Sequence, residues 1–132
     1  KHIIIGGVAG GATAAARIRR ADETAEIVLL EKGRYISYAN CGLPYYIGGT
    51  IAEREKLFVQ TPTSFGTRFR IDVRVESEAV AVDPAAKTVT VRRADGSTYT
   101  EHYDKLLLSP GASPVRPPLQ GIGTEGIFTL RN

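Results

Sequence analysis

One cysteine, two histidines, no methionine and no tryptophan occur in these 132 residues. A single thiol, Cys41, cannot form an internal disulfide, so redox chemistry at this sulfur must take its second sulfur or oxygen from a substrate. His2 and His102 lie far apart in the chain and form no ligand cluster with Cys41, which argues against a zinc site and metal catalysis. No apolar run approaches the roughly 20 residues that cross a bilayer. The opening Lys1-His2-Ile3-Ile4-Ile5 enters a glycine turn too soon to be a signal-peptide core, and a cytoplasmic, reducing location is expected. The 17 basic and 14 acidic residues are interleaved, and their net charge of +3 suits attraction for a small anion more than a nucleic-acid surface. At 42% hydrophobic content the chain can bury one compact core, with no linker for a second domain.

What is present begins with a β-branched run, Ile3 to Ile5, that stops at Gly6, followed by an alanine-rich helix from Ala12 to Arg20. The apolar run Ile27 to Leu30 predicts a second buried strand, completing a right-handed βαβ unit in a parallel sheet. Short helices are expected over Cys41 to Ile47 and Thr63 to Arg70, and a short strand around Val73 and Val75. From Glu78 the pattern alternates through Val80, Val82, Val89, Val91 and Tyr99, with turns at Asp83-Pro84 and Asp95-Gly96, predicting a three-stranded antiparallel meander. Leu106 to Leu108 reads as a fully buried strand ended by Ser109-Pro110-Gly111. The fold class is therefore α/β: a Rossmann-like parallel sheet with a β-meander. The chain ends at Arg131-Asn132 without a helix end or a tail-like composition, as if cut from something longer.

The segment Gly6-Gly7-Val8-Ala9-Gly10-Gly11 separates the first strand from the first helix, where backbone N–H groups and the positive helix end can hold a pyrophosphate. Glu31, at the end of the second strand, is placed to accept hydrogen bonds from a ribose diol and disfavours a 2′-phosphate by repulsion. Val8 stands where the fingerprint has its middle glycine, and the adjacent Gly10 is the candidate to restore close approach of the phosphates. Glycines that merely allow helix and sheet to pack would look similar, but strand, turn, helix, strand and acid in this order favour a dinucleotide. Thr13, Arg17 and Arg20 recur at i, i+4 and i+7, on one face of the first helix opposite its alanines, where the default reading is a solvated face.

Together with Glu31-Lys32, the block Ser37-Tyr38-Ala39-Asn40-Cys41-Gly42-Leu43-Pro44-Tyr45-Tyr46, the meander and Ser109-Pro110-Gly111-Ala112-Ser113-Pro114, the glycine turn resembles the N-terminal part of the flavin-dependent pyridine nucleotide-disulfide oxidoreductases. The match is to the single-cysteine branch that contains coenzyme A-disulfide reductases and rhodanese-linked persulfide reductases, and it covers essentially the whole chain. Ser-Tyr-x-x-Cys followed by Gly-Leu-Pro-Tyr is its most specific piece.

The resemblance implies FAD as the bound dinucleotide. Gly6, Gly7, Val8, Ala9, Gly10 and Gly11 would form its cradle, Glu31 and Lys32 would lie at the adenosine ribose, Val80 near the adenine, and Ser109, Pro110 and Gly111 would form a second flavin-contact segment. Cys41 would be the redox-active sulfur; as the residue before Gly42, Leu43 and the helix-compatible Pro44, it is expected at a helix N-terminus that favours the thiolate. Thr13, Arg17, Arg20, Ser37 and Asn40 match positions that contact coenzyme A, and Arg68 is a further candidate for the same anion. Arg17 replaces a glutamine found in some members. The implied activity passes electrons from NADH through FAD to a mixed disulfide of Cys41 with coenzyme A, reducing coenzyme A disulfide or persulfide. An NADH oxidase or peroxidase working through a Cys41 sulfenic acid is the competing enzyme, and a nucleotide-binding module without turnover the competing non-enzyme. The family's FAD domain is discontinuous, so residues 1–132 would be its first part, with the NADH-binding and dimerisation domains of a homodimeric parent absent from this chain.

Overall fold

The computed structural model describes residues 1–131. Strand β1 (His2–Ile5) leads through the glycine turn into helix α1 (Gly10–Ala21), then strand β2 (Ile27–Leu30). After a 3-10 turn at Asn40–Gly42 come helix α2 (Leu43–Ile47), a 3-10 turn at Arg54–Leu57 and helix α3 (Pro62–Phe69). Strand β3 (Asp72–Arg74) follows, then the meander β4 (Ser77–Asp83), β5 (Thr88–Arg93) and β6 (Thr98–His102), and finally β7 (Lys105–Leu108). The four parallel strands are ordered β3-β2-β1-β7, and the meander forms a separate sheet, β4-β5-β6.

These elements make three layers because both faces of β1 and β2 are apolar. Ile4, Ile27 and Leu29 point to the helices and pack with Ala12 and Ala15 of α1, Ile36, and Phe65 of α3. Ile3, Val28 and Leu30 point the other way and pack on Val89 and Val91 of the meander. The period-two alternation of a strand thus feeds two cores from one sheet, and the small alanines let α1 approach closely. Side chains of Asp22 and Thr61 mark the end of α1 and the start of α3. Asp22 accepts the N–H groups of Thr24 and Ala25 just past α1, and a reciprocal Thr61–Ser64 capping box with Pro62 starts α3.

The structure shows the expected α/β architecture and alters several of its details. β7 is not fully buried: it is the outer strand next to β1, with Leu106 and Leu107 half-covered and Leu108 64% exposed. Among the described residues β7 pairs with β1 alone, so one side of the strand has no partner to cover it. α3 begins at Pro62 and ends at Phe69, with Arg70 taking a left-handed conformation (φ 49°) that stops the helix. The strand expected around Val73 and Val75 is Asp72–Arg74, because its register is set by pairing with Val28 to Leu30. Asn132 lies outside the described residues. Among the described residues no helix is long and apolar enough to cross a membrane.

Candidate functional site

The site is built at the carboxyl ends of β1, β2 and β7. Ile5 pairs with Leu30 on one side and Leu108 on the other, so the next residue of each strand, Gly6, Glu31 and Ser109, emerges side by side. The Gly6 N–H donates to the Leu30 carbonyl at 2.8 Å and the Ser109 N–H to the Ile5 carbonyl at 2.7 Å, extending the ladder by one step. The chain runs from β1 to β2 on one side and returns to β7 on the other. Such a switch point in a parallel sheet opens a crevice for ligands.

Two approaches explain the glycines. A Cβ on Gly6, whose φ is +98°, would lie 2.0 Å from the Ser109 carbonyl oxygen, and one on Gly11 would lie 1.7 Å from the Gly6 carbonyl oxygen. Gly10 likewise leaves room for the Ser109 hydroxyl, 2.6 Å from where its Cβ would be. The first glycine segment and the Ser109-Pro110-Gly111 segment therefore meet, as a shared ligand would require. Helix α1 starts above them with no side-chain cap and no acid in its first turn, leaving its positive end open to an anion. Glu31 spans the turn: one carboxylate oxygen accepts the Gly7 N–H at 2.9 Å and the other the Gly33 N–H at 2.8 Å. Lys32 is exposed. In β4 the pairing with β5 shifts between Ala79 and Ala81, so Val80 is the extra residue of a bulge, where ladder hydrogen bonding is interrupted.

On the other flank of the glycine turn lies a cleft of about 440 Å³. Thr13, Arg20, Ser37 and Arg68 line it, in company with Val8 and Ala9. The Arg20 and Arg68 guanidinium carbons lie 5.9 and 5.3 Å from the centroid of the Phe69 ring, also in the cleft wall. Neither arginine makes an ion pair among the described residues, so two cations share one end of the cleft. Ser37 adopts φ 45°, unusual for a residue with a side chain. Its N–H donates to the Gly7 carbonyl at 2.9 Å and its carbonyl accepts the Val59 N–H at 2.9 Å, binding the glycine turn to the far wall. Burial raises the Tyr38 phenol above its ordinary pKa; Arg131 opposes the shift and Glu31 adds to it.

Cys41 is exposed and sits inside the 3-10 turn, four residues beyond Ser37. It does not open a helix: α2 begins at Leu43 and has five residues, with Pro44 in its first turn. The turn is seated by buried Gly42, where a Cβ would meet Leu57 at 2.8 Å. Arg17, Asn40 and Cys41 are exposed outside the residues that line the cleft. The structure therefore brings Thr13, Arg20, Ser37 and Arg68 together, but not Arg17 or Asn40.

Sequence reasoning missed four neighbours of the site. Phe65 and Phe69 reach the cleft through the docking of α3, and Gln60 from the segment just before it, which no local motif encodes. Arg131 folds back so that one guanidinium nitrogen lies 2.9 Å from where a Cβ on Gly111 would be. Gly111 holds φ +73° in this contact. Arg19, beside Arg20 in the chain, is buried where Arg20 is exposed: its guanidinium donates to the carbonyls of Phe69, Asp22, Glu23 and Arg70 and has a structural role.

A switch-point sheet with a glycine turn and a strand-end acid is the arrangement of a nucleotide-binding α/β domain, and the chain belongs to the pyridine nucleotide-disulphide oxidoreductases, whose family profile matches residues 1–132. Members of this family use FAD and NADH, as the resemblance implies. The chain is 44% identical to the coenzyme A disulfide reductase of Staphylococcus epidermidis over 133 aligned residues, spanning all of this chain and 30% of that enzyme. It superimposes with a TM-score of 0.95 on the reduced CoADR-RHD of Bacillus anthracis, at 53% identity, covering 99% of this chain and 24% of the other. With the NAD-dependent persulfide reductase of A. fulgidus the TM-score is 0.92 and the identity 41%, over 99% of this chain and 25% of the other. The chain thus spans less than a third of the length of these relatives.

Proposed function

We propose that residues 1–132 are the first part of a discontinuous FAD-binding domain in a cytoplasmic, homodimeric enzyme that reduces coenzyme A disulfide or coenzyme A persulfide with NADH. The observation that carries the reading is the two-sided glycine turn. One flank meets the Ser109 segment within contact distance, and the other forms the wall of a cleft whose far end holds two arginines. A cofactor and an anionic substrate can therefore bind back to back with one loop between them.

The residues present fit a dinucleotide. Gly6, Gly7, Val8, Ala9, Gly10 and Gly11 form the turn, and the open end of α1 offers its N–H groups to the pyrophosphate. Glu31, already oriented by Gly7 and Gly33, has lone pairs left for a ribose diol, with Lys32 beside it. Val80 offers bulge backbone to a base, and Ser109, Pro110 and Gly111 close the opposite side, with Arg131 adding positive charge. FAD bound here supplies a two-electron relay between NADH and sulfur.

Thr13, Arg20, Ser37 and Arg68 hold the phosphate-bearing end of the substrate in the cleft, guanidinium groups being suited to phosphate oxygens. Arg17 and Asn40 contact it from outside the cleft wall. Cys41 is the nucleophile. Its thiolate attacks one sulfur of coenzyme A disulfide, forming the Cys41–coenzyme A bond, while the second coenzyme A leaves as its thiolate. Two electrons and a proton then break that mixed disulfide, returning the Cys41 thiolate and releasing coenzyme A thiol.

Mass spectrometry of the full-length enzyme tests the reading. A coenzyme A adduct on Cys41 is expected, together with loss of NADH-dependent coenzyme A disulfide reduction in Cys41→Ser; no adduct and undiminished turnover in that variant would sink it. Residues 1–132 alone, less than a third of the length of the relatives, are expected to bind FAD poorly and to show no turnover. Flavin fluorescence quenching on titration with the purified chain measures this.

A further inference from the structure

Val8 breaks the dinucleotide fingerprint at the position where a glycine ordinarily lets the backbone approach the phosphates. The structure gives this residue another use. Val8 and Ala9 line the cleft on the flank away from Ser109, and they continue the face of α1 that contributes Ala12, Thr13 and Ala16. The spacing explains the continuity: positions 8, 12 and 16 fall four apart, so the turn prolongs the helix surface by one more step. Gly7, Gly10 and Gly11 meanwhile take the close contacts of the turn, with Ile36 and Leu29, with the Ser109 hydroxyl and with the Gly6 carbonyl. A side chain at position 8 is therefore free to serve the cleft.

We infer that Val8 is a specificity-determining residue for the substrate, forming the partition between cofactor and cleft and packing against the uncharged stretch of a long thiol whose anionic end lies between Arg20 and Arg68. The inference rests on the proposed function and deepens it. The cleft has two chemically distinct parts. Val8, Ala9, Ala12, Ala16 and Phe65 make an apolar stretch, and the arginines flanking Phe69 make a cationic end. A ligand that fills both must carry a neutral chain joined to phosphate. A small disulfide without that chain would leave the Val8 wall unused.

The test is steady-state kinetics of the full-length holoenzyme with coenzyme A disulfide, comparing wild type, Val8→Ala and Val8→Gly, with flavin content measured from absorbance. Glycine restores the generic fingerprint, so the turn tolerates it, and Val8→Ala guards against a backbone effect peculiar to glycine. Deleting the isopropyl group is expected to raise KM for coenzyme A disulfide about tenfold, the usual scale for apolar groups in a binding pocket, with Val8→Ala intermediate and flavin retained. An unchanged KM in both variants overturns the assignment of Val8, as does a KM change that tracks flavin loss, which would place the side chain in the cofactor cradle. A wild-type enzyme that does not reduce coenzyme A disulfide overturns instead the reading on which the inference rests.

Discussion

The carboxylate of Glu31 accepts the backbone N–H of Gly7 at 2.9 Å, locking the end of the second strand to the first glycine turn. The same side chain holds Gly33 through its other oxygen, so one acid orders both loops that frame the nucleotide crevice. Replacing Glu31 by Ala leaves two part-buried N–H groups without partners, a loss of about 1–3 kcal/mol. FAD affinity of the full-length enzyme should fall at least tenfold in this variant, measured by flavin retention on dialysis. Undiminished retention would separate Glu31 from cofactor binding.

The glycines divide into those the packing demands and those it tolerates. Gly11→Ala drives a Cβ into the Gly6 carbonyl, and Gly6→Ala drives one into the Ser109 carbonyl at a positive φ. Gly96 also has a positive φ, +83°, but opens into empty space. Thermal unfolding should show Gly11→Ala and Gly6→Ala destabilised by 3 kcal/mol or more, or failing to fold, against about 1 kcal/mol for Gly96→Ala.

Neighbouring arginines should behave in opposite ways. Arg19→Ala abandons four carbonyls at the junction of α1 and α3, and is expected to cost about 3 kcal/mol of stability by denaturant titration. Arg20→Ala, on the exposed side, should change stability by under about 0.5 kcal/mol. Its effect should appear instead as weaker binding of coenzyme A disulfide. Equal stability losses in the two variants would contradict this division of labour.

Glu101 carries an acid-sensitive part of the fold. Its burial favours the neutral acid, but hydrogen bonds from Lys1 and Arg74 outweigh it and hold the carboxyl below its ordinary value of 4.5. A depressed folded-state pKa means stability that is fully present above the unfolded value and lost as pH falls through the folded one. Unfolding titrations of the chain should therefore weaken from about pH 4.5 downward. Glu101→Gln should flatten that acid limb while lowering stability at neutral pH; an unchanged limb would move the acid sensitivity elsewhere.

The elements legible in the sequence are those whose signal is local. Ile27 to Leu30, apolar at every position, read as a buried strand and is one, and Asp83-Pro84 and Asp95-Gly96 located the turns of the meander. The expectations that changed depended on neighbours far away in the chain. Leu106 to Leu108 has the composition of a central strand but is paired on one side only among the described residues, and Cys41 precedes a helix without starting it. The same holds at the site: Glu31 and the glycines announce themselves by spacing, whereas Phe65 and Phe69 enter only because α3 docks against α1. No periodicity distinguishes Arg19 from Arg20 as clearly as the four carbonyls that surround the first and the exposure of the second.

The in-step ends of three strands also make strand length a functional quantity. Because Gly6, Glu31 and Ser109 each follow a paired residue at the same level, adding one residue to β7 would carry Ser109 about 3.3 Å along and turn it to the opposite face. The crevice would lose one of its walls. A one-residue insertion in β7, the least buried of the three strands, should therefore weaken cofactor retention more than it weakens the fold, whereas in β1 or β2 it would flip fully buried side chains.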